Sequence, residues 1–171
     1  MRTRICTFVL TLGSVCCLLI SIPVTAKEWQ GIVPLHSNRA DVKKLLGKPL
    51  SEESSSFDSY DVAEGRVEIM YVREKCEQGL PANWGNWNVP PDTVVNISIS
   101  LNKPIPLTKL GVPNIKRFEW YTDDSSTTYY HDKKEGIEYE VQDKKVTSIT
   151  YGPTEKDSVL LCNKNAPLIR Y

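Results

Sequence analysis

Histidine is scarce in this chain: His36 and His131 are the only two. No acidic residue stands at metal-ligand spacing beside either one, so the sequence offers a poor zinc site. Charge of one sign is also lacking. The 21 Lys and Arg residues balance the 21 Asp and Glu residues, which removes the electrostatic case for nucleic acid or an anionic membrane surface. There is no glycine-rich phosphate loop, no Cys-x-x-Cys pair, no basic patch and no low-complexity segment. These absences exclude the commonest cofactor and redox motifs, and the sequence implies no cofactor and no metal.

Long apolar runs are limited to one place. Arg2 and Arg4 precede an apolar stretch from Ile5 to Ile22, and Val24-Thr25-Ala26 supplies small residues suited to signal peptidase. A basic start, an apolar middle and a small-residue exit are the layout of a secretory leader, so residues 1–26 read as a signal peptide and the protein as secreted or periplasmic. An uncleaved leader would instead tether the chain to a membrane. A lipoprotein reading fits poorly, because neither Cys16 nor Cys17 follows the required Leu-containing lipobox. No second run of that length follows, so no membrane span is expected after leader removal. The leader holds two arginines and no acidic residue, which leaves the remainder slightly negative.

Removing the leader also changes the cysteine arithmetic. Cys6, Cys16 and Cys17 leave with it, and Cys76 and Cys162 remain. Two cysteines in an exported domain point to one disulfide. Closing so long a loop stabilises by roughly 4–5 kcal/mol on a chain-entropy account.

The mature sequence predicts an α+β fold, mainly antiparallel sheet with one short N-terminal helix and a second helical turn packed on one face. Residues 27–162 form a single domain, and residues 163–171 form a loosely ordered tail. The helix is announced by Ser37 or Asn38 as N-cap, Asp41 in the first turn, an apolar stripe of Val42, Leu45 and Leu46, a left-handed Gly47 and the blocking Pro49. Ser51 to Ser56 reads as a polar loop. Alternation marks strands at Arg66–Val72, with Val67, Ile69 and Tyr71 on one face, and at Val95–Leu101. A long Gly-, Pro-, Asn- and Trp-rich loop from Cys76 to Pro91 lies between them. Pro104-Ile105-Pro106 then breaks the chain, and Leu107–Gly111 suits one helical turn. The last third reads as a meander: Thr127–His131, Ile137–Val141 and Lys145–Tyr151, ended by Gly152-Pro153. A faint echo, short helix then strands, occurs at 38–72 and again at 107–151.

The segment Asn38 to Pro49, with its x-x-D-V-x-x-L-L-G-x-P core, resembles a module of the SmpA/OmlA family, which includes the outer-membrane-assembly component E. Gly136 to Val141 and Val146 to Ile149 resemble that family's closing hairpin. The resemblance implies a short helix packed on antiparallel sheet and an envelope role. The fold of β-lactamase-inhibitor proteins is similar, using such a unit in tandem. The W-x-G-I-x-P-L-H-S-x-R-x-D-V-x-x-L-L-G opening and the Y-E-V…V-T-S-I-T-Y-G-P ending resemble uncharacterised secreted bacterial proteins, a resemblance that implies no activity.

Catalytic constellations are hard to find. His36, Ser37 and Asp41 contain the residue types of a triad, yet adjacent residues point apart and no nucleophile elbow is present. His36 reads as a turn residue and His131 as a surface residue. Asp123-Asp124 with Ser125-Ser126 lacks the spacing of a calcium loop and reads as a polar turn. Glu138 and Glu140 imitate paired glycosidase carboxylates but read as a solvated strand face. The sequence therefore predicts no catalytic residues and a non-enzymatic macromolecule-binding or envelope-structural module, its partner an unknown protein or envelope polymer. Its alternatives are an envelope-polymer hydrolase or a secreted enzyme inhibitor. The binding candidates are aromatic: Trp84 and Trp87 in the long loop, then Trp120 and Tyr121, with Tyr129 and Tyr130 nearby.

Overall fold

A computed structural model describes residues 26–54, 56–77, 86–111, 116 and 118–162. Helix α1 spans Arg39–Leu46 and begins where its sequence says it should. The Asn38 side chain accepts from the backbone N–H groups of Ala40 and Asp41 at 2.8 and 3.1 Å. Asp41 answers by accepting from the Asn38 N–H at 2.9 Å, which closes a capping box. Ser37 serves elsewhere: its hydroxyl accepts from Val33 N–H at 2.9 Å. Gly47 ends the helix at φ 85° and ψ −150°, a positive-φ conformation that glycine tolerates but not the left-handed helical one. Eight residues cannot hold a helix unaided. Val42 is fully buried against the sheet and Leu46 packs beside it, whereas Leu45, expected in the same stripe, is 51% exposed. The helix is therefore held by a narrow seam and by its first residue. Arg39 donates to Asp58 at 2.9 Å and to Asp92 at 3.0 Å, and its guanidinium lies 4.1 Å from the centre of the Tyr71 ring.

Eight antiparallel strands follow: β1 (Ser51–Ser54), β2 (Phe57–Asp61), β3 (Gly65–Tyr71), β4 (Val94–Pro106), β5 (Glu119–Thr122), β6 (Thr128–Asp132), β7 (Ile137–Gln142) and β8 (Lys145–Tyr151). They form one sheet in the order β1-β2-β3-β4-β8-β7-β6-β5. The chain thus builds one four-stranded meander, then a second, and joins them through their last strands. Each meander is preceded by a helix, α1 for the first and the four-residue α2 (Leu107–Leu110) for the second. The faint echo in the sequence is a duplication of architecture.

Two expectations need correction. Residues 51–54 are strand, not loop, and pair with β2, a strand whose polar Phe-Asp-Ser-Tyr-Asp sequence hides its role. Pro104-Ile105-Pro106 lies within β4 and forms its last three residues. Pairing with β3 stops at Leu101, and pairing with β8 skips from Ser100 to Ile105, so Pro104 falls where no ladder bond is asked of it. Gly65 shows how tightly the ladder is drawn at the β2–β3 turn. A Cβ there would lie 1.9 Å from the Ser100 carbonyl oxygen.

Directly paired residues share a face. One face carries the row Tyr60, Val67, Ile99, Ile149, Tyr139, Tyr130 and Trp120. Both helices cover it. Val42 and Leu46 of α1 pack on Tyr60, Val67, Ile69, Ile97 and Ile99, while Leu107 and Leu110 of α2 pack with Val141, Val146, Tyr139 and Ile149. Leu101 belongs to both groups and joins the two halves of the core. At one end of the opposite face, Phe57 and Met70 are covered by Trp87, Val89, Leu160 and Leu161. Cys76 and Cys162 form a disulfide, Cα atoms 5.5 Å apart, that ties these covering segments together. A six-residue 3-10 helix, Glu155–Leu160, completes the cover; its capping box of Thr154 and Asp157 was not anticipated from sequence.

Candidate partner-binding face

Beyond that cover, the second face of the sheet carries polar side chains across both halves. One row runs from Ser59 through Glu68, Ser98, Thr150, Glu138 and His131 to Glu119. The next runs from Asp61 through Arg66, Ser100, Ser148, Glu140 and Tyr129 to Tyr121. Most of these residues are exposed or half-buried. Alternation alone predicts such a wet face, but the register decides which residues meet on it.

Cross-strand contacts order its second half. Ser98 and Thr150 hydroxyls are 2.7 Å apart across the β4–β8 seam. His131 Nδ1 lies 3.4 Å from Glu138 Oε2, and Lys133 Nζ lies 2.8 Å from Glu119 Oε1. The Tyr121 and Tyr129 rings stack with centres 4.8 Å apart and planes 12° from parallel, and the Tyr129 hydroxyl donates to Asp123 at 3.4 Å. Asp123 also accepts from Ser125 Oγ at 2.7 Å and from the Ser125 and Thr127 N–H groups at 3.0 and 2.9 Å. The Ser125 hydroxyl bond foremost, helped by those N–H groups, holds its carboxyl below the usual range. Partial burial, then the charge of Glu138, pushes the Tyr121 phenol up to about 12. Burial first, then Glu140 and Asp123, raises Tyr129. Two stacked rings and three carboxylates thus share one patch.

The aromatic candidates separate. Trp84 lies outside the described residues. Trp87 is 0% exposed: it sits in the layer beneath the disulfide and bridges to Leu161, so it is core and not an interface residue. The loop's richness in Gly, Pro and Asn predicts exposure, but the Cys76 N–H donates to the Trp87 carbonyl at 3.0 Å and Trp87 pairs with Leu161, which seats its side chain on the sheet. Trp120 and Tyr121 are neighbours on a strand and point to opposite faces. Trp120 is 67% exposed at the rim of the helix-covered face, and Tyr121 belongs to the polar face. Glu138 is also corrected. It is only 8% exposed, not solvated, and it faces His131 across the β6–β7 hairpin. A register count through the Asp132–Gly136 turn is the signal that could have paired them.

Among the described residues, one depression lies on the polar face and another beside α1. A dent of about 20 Å³ is lined by His131, Gly136, Glu138, Thr150, Gly152 and Pro153. That is room for about one water molecule and not for a substrate. A wider groove of about 600 Å³ is lined by the start of α1 and the segment Pro90–Thr93. Its one lining carboxylate, Asp92, is engaged by Arg39, and His36 on its rim lies 3.8 Å from Asp157. Among the described residues, no three His, Cys, Asp or Glu side chains converge as a metal ion would require. No described helix is long and apolar enough to cross a membrane. No family model, curated protein or solved structure matches the chain.

Proposed function

We propose that this chain is an exported, non-enzymatic binding module that docks a macromolecular partner across the open polar face of its sheet. The observation that carries the reading is the pair of polar rows spanning both meanders, which no helix covers, opposite a face on which both helices pack. A face of this kind, rimmed by stacked tyrosines, has the amphipathic, low-entropy aromatics that anchor interfaces. The disulfide and the leader-like N-terminus support export. N-terminal sequencing of the protein recovered outside the cytoplasm tests that part, and an N-terminus at Lys27 is expected. The docking part is tested by Ser148→Trp, which places bulk at the centre of the face. Capture of a crosslinked partner is expected to fall with this variant and to persist with Val159→Arg, on the 71% exposed turn over the disulfide layer.

A second reading is inhibition of a secreted enzyme. Two helix-led four-stranded units in one sheet favour it, because the tandem resemblance seen in the sequence implies that arrangement. It predicts that the purified chain lowers turnover of at least one soluble secreted hydrolase, with Ser148→Trp relieving the effect.

A further inference from the structure

Resting on the docking reading above, we propose that the face takes a basic segment of a partner protein, with a Lys or Arg side chain seated between the stacked Tyr121 and Tyr129 rings and the carboxylates of Glu138 and Glu140. Charge complementarity selects this occupant. On this half of the face Lys133 pairs with Glu119 and His131 lies 3.4 Å from Glu138, while exposed Lys145 stands opposite Gln142 at the far end of β7, so the carboxylates of Glu119, Asp123, Glu138 and Glu140 outnumber the lysines. Glu140 accepts only neutral donors in its described contacts, Gln142 Nε2 at 3.1 Å and Thr147 Oγ1 at 3.5 Å. Tyr129 is paired directly with Glu140 across the β6–β7 register, so a ring face and a carboxylate stand side by side on adjacent strands. A cation there gains attraction from the ring quadrupole and from the carboxylates together. An acidic or purely apolar segment would leave the Glu140 carboxylate uncompensated beneath it.

The test is an amide-NMR titration of the full chain with a hexa-arginine peptide, and with a hexaglutamate peptide as control. The arginine peptide is expected to shift Tyr121, Tyr129, Glu138 and Glu140 before other residues, and the glutamate peptide to leave them in place. Glu138→Gln with Glu140→Gln is expected to weaken binding about tenfold or more, while Glu64→Gln with Glu155→Gln, which removes the same charge elsewhere, changes it by less than about twofold. Glu140→Gln alone retains most of the loss and guards against misfolding around the buried Glu138. Equal weakening by both double variants, equal binding of the two peptides, or shifts centred on the α1 groove would overturn the proposal. So would concentration-dependent shifts of the same patch without peptide, which would assign it to a second copy of the chain. If Ser148→Trp blocks partner capture while the glutamine variants do not, the docking face stands and the cationic occupant falls.

Discussion

Replacing Trp87 by alanine separates a binding role from a core role. The side chain is completely buried among Leu35, Met70, Val72, Val89, Val95 and Leu161. A tryptophan buries about 150–250 Å², which at ~25 cal/mol per Å² corresponds to about 4–6 kcal/mol of transfer free energy, an upper bound for a compact denatured state. Measured truncations of this kind cost about 3–5 kcal/mol. Domains of this size hold only about 5–15 kcal/mol in total, so Trp87→Ala is expected to take a large share of the stability. Trp87→Phe refines the test. The indole Nε1 has no described hydrogen-bond partner, so phenylalanine removes a buried unsatisfied donor while keeping most of the apolar volume. Its expected cost is below about 2 kcal/mol. Urea unfolding followed by circular dichroism measures both variants. A Trp87→Ala protein as stable as the parent but unable to bind its partner would refute the assignment and restore Trp87 as an interface residue.

Three further outcomes follow from the same geometry. Replacing Cys76 and Cys162 by serine opens a loop with 86-residue separation and is expected to cost about 4–5 kcal/mol by loop entropy, read as a lower urea midpoint in the double variant and in the reduced parent alike. Asp58→Ala leaves the Arg39 guanidinium without its buried partner and is expected to cost about 3 kcal/mol or more; combined with Arg39→Met, the loss should be less than additive, and strict additivity in the cycle would deny the pair. In an ultraviolet phenolate titration, Tyr121 should ionise at about 12 and Tyr60, Tyr71, Tyr129 and Tyr151 above the ordinary 10.0. The unfolded chain releases these protons near 10 while the fold retains them. Their contribution to stability is therefore intact below pH 10 and declines above it, and for Tyr121 it is lost as pH passes about 12. A single step near 10 with the fold intact would contradict the described burial.

The legible parts of this fold are those where local chemistry and tertiary need agree. Asn38, Asp41 and Gly47 mark α1 because caps act within a few residues. Val67, Ile69 and Tyr71 alternate because only one face of β3 is helix-covered and, at 0%, 0% and 1% exposed, all three point there. The strands β1 and β2 escaped because serine and aspartate lack strand propensity. Asp58 is at home there only because Arg39 reaches it from 19 residues upstream. The polar face is half legible. Aromatic clustering points to Tyr121, but chain adjacency joins Trp120 to it and a place in the Gly-, Pro- and Asn-rich loop adds Trp87. Strand alternation sends Trp120 to the other face, and Trp87 is buried where its segment pairs with Leu161. Which carboxylates meet the tyrosines is set by the β5–β6–β7 register, a property of pairing between strands that no single stretch of sequence displays.

The central claim is that a partner docks on the open polar face. A photo-crosslinking residue placed at Ser148 and, in a separate variant, at Lys43 beside the α1 groove tests it most directly, with crosslinks formed in the native organism and identified by mass spectrometry. The account predicts one dominant partner captured from position 148 and not from position 43. The same partner captured from position 43 and absent from position 148 would contradict it.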